Sequence, residues 1–129
     1  MRENYEQGNI AAMPNVVAIT SFLNCCAHAP NDEKAKNEAI LFATKAFQLL
    51  KLNPQFGVAN SVTYRTLLEV FGRNVNDIKT RSNHSSKIFQ LCSDNGMVDD
   101  YVLSNLRRYT LDLYKQLPST LPKSWSRNI

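Results

Sequence analysis

An apolar pattern that occurs twice, 45 positions apart, constrains the fold of this chain more than any other feature. The first copy consists of Ile19, Phe22, Leu23 and Cys26. The second copy consists of Tyr64, Leu67, Leu68 and Phe71. Both copies follow the spacing i, i+3, i+4, i+7, which places four apolar side chains on one face of an α-helix. An asparagine, Asn15 or Asn60, precedes each copy and favours a helix start. The repeat therefore predicts stacked helical hairpins.

Each copy is followed by a second predicted helix. Pro30-Asn31-Asp32 breaks the chain and supplies polar caps, and Asn53-Pro54-Gln55-Phe56-Gly57 ends the next helix. The apolar stripe between these breaks consists of Ala39, Phe42, Ala43, Ala46, Phe47 and Leu50. After the second copy, the polar stretch 74–83 is predicted to be a loop. The stripe that follows it consists of Ser85, Ile88, Phe89 and Cys92, and Asn95-Gly96 ends that helix.

A third, incomplete unit begins at Asp99 and Asp100, because acidic residues favour a helix N-terminus. Leu103 and Leu106 match Tyr64 and Leu67 at an offset of 39 residues. The match ends at Arg107, which stands where Leu68 would be. A unit with one polar face is typical of the cap of a helical array. A short last helix is predicted around residues 111–117.

These patterns predict an all-α fold, an α-α superhelix of about two repeats plus a capping helix. Residues 1–14 are interpreted as the tail of a preceding repeat or an N-terminal extension. The first repeat spans residues 15–59, the second 60–98, the partial capping unit 99–117 and the C-terminal tail 118–129. Two repeats offer little surface for a ligand, so we expect the chain to be part of a longer array.

Charge is unevenly distributed along the chain, whose net charge is +4. Residues 1–59 carry five Lys/Arg and five Asp/Glu, whereas residues 60–129 carry ten and six. A basic half favours a polyanion such as RNA, although an ordinary solvated surface explains the charge equally well.

The odd count of three cysteines favours a reducing intracellular compartment over a disulfide framework. No apolar run approaches the roughly 18 residues of a spanning helix, so no membrane association is predicted.

The openings of the two repeats, residues 14–23 and 60–68, resemble the pentatricopeptide repeat. The resemblance covers roughly residues 13–108, with intervals longer than the family's. It implies a module that binds single-stranded RNA, with about one base read by each repeat. It further implies a role in RNA processing or stability and a mitochondrial or plastid location.

The resemblance also implies specific roles for residues on the first helix of each repeat. Apolar Val17 and Val62 are expected to wedge between bases. Base edges are expected to meet two pairs of side chains, Thr20 with Asn60 and Arg65 with Asp99. The first pair favours adenine, whereas the long charged Arg65 departs from the family pattern and favours a salt bridge. Arg73 and His28 stand where the family often has a basic residue that faces phosphate.

Simpler interpretations stay open for these residues. Val17 and Val62 fit helix-start packing, and Asn15 and Asn60 fit N-caps whatever the function. The same array also fits a protein–protein scaffold whose base-reading residues have decayed. The sequence shows no nucleophile motif, Gly-rich phosphate loop or CxxC pair, so we predict no catalysis, metal, cofactor or small-molecule substrate.

Overall fold

A computed structural model of the protein describes residues 15–129. This part of the chain holds six α-helices: α1 (Val16–Ala27), α2 (Glu33–Leu52), α3 (Ser61–Asn74), α4 (Ile78–Asp94), α5 (Asp100–Tyr109) and α6 (Leu111–Lys115). Two short 3-10 turns lie at Pro54–Phe56 and Lys123–Ser126. No strand occurs between residues 15 and 129, so the predicted all-α class is confirmed for them. The unit predicted for residues 1–14 lies outside the described residues.

Polar side chains fix where the odd-numbered helices α1, α3 and α5 begin. Asn15, Asn60 and Asp99 each accept a hydrogen bond from the backbone N–H three residues further on, at 2.9, 3.1 and 2.8 Å respectively. Each bond satisfies one of the backbone donors that have no partner inside the helix. The capping role that the sequence predicts for Asn15 and Asn60 is therefore confirmed.

Helix α3 lies at the centre of the packing. It contacts α1 on one side and α5 on the other, and it also contacts α2 and α4. Helix α2 pairs with α1, and α6 packs against α5. The largest completely buried apolar side chains come mainly from these helices: Leu23, Leu67, Leu68, Val70, Val98, Val102 and Leu106. The predicted face of the second repeat copy, Tyr64 to Phe71, is buried throughout.

A glycine lets α3 and α5 approach each other closely. A Cβ atom on Gly72 would lie 2.2 Å from Cγ of Tyr109 and 2.5 Å from its Cβ. Both are atoms at the base of the tyrosine side chain, which have little freedom to move away. The close contact between the two helices therefore depends on the missing side chain.

The C-terminal tail returns to the end of α4. Trp125 packs edge-on against Phe89, with ring centroids 5.5 Å apart. The backbone N–H of Val98 donates to the carbonyl of Trp125 at 2.8 Å, and that of Asn128 donates to Gly96 at 2.9 Å. The tail is thus bonded to the segment that links α4 to α5.

The loop predicted for residues 74–83 is wrong, because α3 continues to Asn74 and α4 begins at Ile78. Asp77 caps α4 by accepting from the backbone N–H and the hydroxyl of Thr80, at 2.9 and 2.7 Å. Arg81 then donates to the backbone carbonyls of Val75 and Tyr109. Polar contacts hold these first turns of α4, so they leave no apolar stripe to recognise in the sequence. Only residues 28–32 separate α1 from α2, because α2 begins at Glu33.

Two phenylalanines predicted to be in the core are not buried. Phe22 is 45% exposed and Phe42 is 47% exposed. The position that matches Phe22 in α3 is Leu67, which is only 1% exposed and lies in the core. Helix α3 packs against α1, and within residues 15–129 no helix precedes α1 to cover its corresponding face.

Within residues 15–129, no helix combines the length and the apolar character that crossing a bilayer requires.

Candidate nucleic-acid interface

A groove of about 700 Å³ runs across α1, α3 and α5. Most of the residues that line it are polar, and all of them come from these three helices. The lining residues are Thr20, Ser21, Asn24, Cys25, Val62, Arg65, Thr66, Glu69, Tyr101, Ser104 and Asn105. The groove thus brings together three of the residues predicted to bind RNA, namely Thr20, Val62 and Arg65.

The second residue of each of these helices is apolar or aromatic and exposed. Val17 is 69% exposed in α1, Val62 is 40% exposed in α3 and Tyr101 is 66% exposed in α5. Val62 and Tyr101 line the groove, whereas Val17 is not part of its wall. Tyr101 was not among the residues predicted to bind RNA. The sequence pattern that could have identified it is its offset of 39 residues from Val62, the same offset that aligns Asp99 with Asn60.

The fifth residue of each of these three helices is polar and lines the groove. Thr20, Arg65 and Ser104 occupy this position in α1, α3 and α5, and all three line the groove. They lie one helical turn beyond the exposed apolar positions. Polar side chains therefore line the groove at the same place on three adjacent helices, and an apolar or aromatic side chain one turn earlier joins them on α3 and α5.

A hydrogen-bonded chain connects the predicted pair Thr20 and Asn60 through Thr63, a residue for which no role was predicted. Thr20 Oγ1 lies 2.9 Å from Thr63 Oγ1, and Thr63 Oγ1 lies 3.2 Å from Asn60 Oδ1. The backbone N–H of Asn60 also donates to Thr63 Oγ1 at 3.2 Å, which completes a reciprocal capping box. Thr63 is completely buried, so this chain holds Thr20 in a fixed orientation at the groove wall.

Arg65 stacks on Tyr101 instead of pairing with an acid. Its guanidinium carbon lies 4.8 Å from the centroid of the tyrosine ring. The carbonyl of Arg65 accepts a hydrogen bond from Asn105 Nδ2 at 2.8 Å. Asp99, the predicted partner of Arg65, caps α5 through the backbone N–H of Val102. The salt bridge predicted for Arg65 is absent from residues 15–129, where the ion pair found is that of Arg73 with Glu69.

The two predicted phosphate-facing residues border a second, smaller cavity. Arg73 and His28 line this cavity of about 300 Å³ together with Lys36. Arg73 Nε donates to Glu69 Oε2 at 2.8 Å, so a carboxylate partly offsets its charge. Glu69 also lines the groove, which places the cavity next to it along α3.

The three cysteines lie in different environments. Cys25 is exposed and lines the groove, whereas Cys26 and Cys92 are buried. Burial raises the pKa of the Cys92 thiol to about 12, with a further contribution from the negative charge of Asp99. Burial also raises the pKa of Cys26, and neighbouring Cys25 adds to the effect. A metal needs several ligands together, and in residues 15–129 no three His, Cys, Asp or Glu side chains form such a group.

Comparisons of the chain with protein-family models, curated proteins and solved structures find no match.

Proposed function

We propose that the groove across α1, α3 and α5 binds single-stranded RNA, and that the chain is a pentatricopeptide-like module of an α-α superhelix. One observation carries the proposal: a polar groove position recurs at the same place on α1, α3 and α5, and on α3 and α5 an exposed apolar or aromatic groove position precedes it by one helical turn. Val62 and the ring face of Tyr101 that Arg65 leaves open offer surfaces between which a base stacks, and Thr20 and Arg65 offer groups for its edge. Stacking on side chains combined with hydrogen bonding to an exposed edge is the usual way in which proteins recognise unpaired bases.

The charge of the chain supports the same ligand. Residues 60–129 carry the whole excess of four positive charges. Basic side chains near a polynucleotide release condensed counterions, so binding weakens as salt is added. Because the Arg73–Glu69 pair lowers the local positive charge, we expect a modest dependence on salt rather than a steep one.

The test is fluorescence anisotropy of a labelled, unstructured single-stranded RNA mixed with the full chain. We expect saturable binding that weakens between 50 and 200 mM salt, over which phosphate contacts lose affinity (range from). Tyr101→Ala should weaken binding by about fivefold or more, because one stacked base is worth roughly 1–3 kcal/mol.

The matched control is Ile78→Ala. Ile78 is 65% exposed, nearly as much as Tyr101, but it lies at the start of α4 and does not line the groove. It should leave the affinity unchanged. Equal losses in the two variants would contradict the groove as the binding surface, and a lack of RNA binding would reject the proposal.

A second candidate function is a protein–protein scaffold, and the exposed face of α1 around Phe22 favours it. In that case Phe22→Ala would weaken capture of a protein partner. A contact of this kind depends on apolar burial, so added salt would not weaken it. The salt titration therefore separates the two candidates.

A further inference from the structure

Four exposed residues of α2 share one side of the helix. Glu38, Leu41, Phe42 and Lys45 follow the spacing i, i+3, i+4, i+7, which places them on one helical face. Leu41 lies about 160° around the helix axis from the completely buried Ala43, so this face points away from the core. We call these four residues the outer face of α2. Its two apolar members, Leu41 and Phe42, are 50% and 47% exposed.

The order of residues on the outer face is complementary to its own reverse. Leu41 and Phe42 stand at the centre, and Glu38 and Lys45 each stand three residues further out, on opposite sides. A twofold axis between residues 41 and 42 pairs α2 with an antiparallel second α2. In this pairing Leu41 of each copy meets Phe42 of the other. At both ends of the contact, Glu38 of one copy meets Lys45 of the other.

We propose that this chain dimerises by docking the outer face of α2 against the same face of a second copy. A contact between identical patches requires that the patch be complementary to itself, and the outer face meets this requirement. The proposal goes beyond RNA binding and does not depend on it, because none of the four residues lines the groove across α1, α3 and α5.

The charges of the outer face are available to a second copy. Glu38 and Lys45 lie two turns apart, about 10 Å along the helix axis. Neither has an ion-pair partner within residues 15–129, where Arg73 pairs with Glu69 instead. The antiparallel pairing also places Lys34 opposite Leu49 of the second copy, so like charges do not face each other directly.

An open depression next to the centre of the outer face offers space for an apolar side chain. It measures about 470 Å³ and is lined by Glu33, Lys34, Asn37, Glu38 and Leu41. In the antiparallel pair, Phe42 of the second copy lies opposite Leu41, at the edge of this depression. The two Phe42 side chains therefore enter two equivalent depressions, and their burial supplies the attraction at the centre of the contact.

The dimer should be weak. Helix α2 has 20 residues and is about 30 Å long. A contact between two helices of this length belongs to the small interfaces, with roughly 1,200 Å² or less of total buried area, and such interfaces are transient. We therefore expect a dimer that dissociates on dilution.

Sedimentation equilibrium of the full chain, from micromolar to millimolar concentrations, tests the proposal. We expect a reversible monomer–dimer equilibrium without larger species, because a twofold contact closes on itself. Glu38→Lys and Lys45→Glu each place like charges opposite one another at both ends of the contact. Each variant should therefore weaken dimerisation by about tenfold or more.

An equimolar mixture of the two variants is the decisive measurement. One copy then carries two positive charges on its outer face and the other carries two negative charges, so opposite charges meet again. The mixed dimer should form at least as readily as the unsubstituted dimer, although neither variant does so alone. The double variant Glu38→Lys/Lys45→Glu should dimerise like the unsubstituted chain.

Lys87→Glu is the matched control. Lys87 is an exposed residue of α4, and its reversal changes the net charge as much as Lys45→Glu does, without altering α2. It should leave dimerisation unchanged.

Three outcomes would overturn the proposal: a monomer at every concentration, a dimer that both single variants leave intact, or a mixture that associates no better than its components. Circular dichroism checks that each variant is folded. RNA affinity is measured separately on dilute, monomeric protein, so failure of the dimer leaves the proposed function standing.

Discussion

Gly72 sets the distance between two helices by lacking a single carbon atom. A substituent there would collide with the base of the Tyr109 side chain, and the backbone of α5 would have to move to make room. Overpacking of this kind costs about 1–3 kcal/mol, because a packed interior has few voids to absorb it. Since Ser104 and Asn105 belong to α5, the same displacement would widen the groove.

We expect Gly72→Ala to lower the free energy of unfolding by about 1–3 kcal/mol, measured by urea denaturation. Alanine favours a helix more than glycine does, by up to about 1 kcal/mol, so any gain in stability would mean that the two helices separate easily. In a Tyr109→Gly background all the clashing side-chain atoms of residue 109 are removed, including its Cβ, and Gly72→Ala should then cost much less. Equal costs in the two backgrounds would contradict the proposed clash.

The exposed thiol of Cys25 allows a chemical test of whether RNA occupies the groove. A thiolate is the reactive form of cysteine, and a raised pKa keeps a buried thiol protonated. At pH 8 we therefore expect iodoacetamide to modify Cys25 rapidly, and Cys26 and Cys92 only on unfolding. Mass spectrometry of the intact protein and its peptides would measure this. Saturating RNA should slow the reaction of Cys25, and an unchanged rate would place the RNA elsewhere.

Matching positions in α1 and α3 have the same residue class but different environments. Phe22 and Leu67 occupy corresponding places in the two copies of the pattern, yet only Leu67 lies in the core. The two residues differ in burial because α3 has another helix, α1, packed beside it. We expect Leu67→Ala to cost about 2–5 kcal/mol, as for a buried leucine.

Phe22→Ala is the control for this prediction. It should cost less than Leu67→Ala by at least about 1 kcal/mol, since an exposed side chain has less apolar area to lose. Denaturant unfolding of both variants measures the difference. Similar costs would show that Phe22 is covered in solution.

The sequence predicts helices well where local chemistry sets their limits. Asn15, Asn60 and Asp99 mark the starts of α1, α3 and α5 because each supplies its cap from within the same turn. The start of α4 was missed although Asp77 caps it locally, because the turns that follow have no apolar stripe and are held by Arg81. That side chain bonds carbonyl groups in two other parts of the chain, including Tyr109. Contacts between residues far apart in the sequence leave no periodic signal.

At the level of the whole molecule, the repeat predicts which residues lie close together. The contacts that some of these residues make differ from the predicted ones. Thr20, Val62 and Arg65 lie in one groove, as expected of first helices placed side by side. Asn60 and Asp99 serve as caps, although their alignment with base-reading positions predicts contact with RNA. Tyr101 was missed because it lies outside the apolar stripe of α5, on the face that the stripe does not describe.

The tail of the molecule has a practical consequence for spectroscopy. The chain contains one tryptophan, and this residue rests on Phe89 at the end of α4. Its ultraviolet emission therefore reports the surroundings of a single site, the junction between tail and helices. Circular dichroism at 222 nm sums over all the helices, so following both signals during melting distinguishes release of the tail from loss of the fold, without any attached dye.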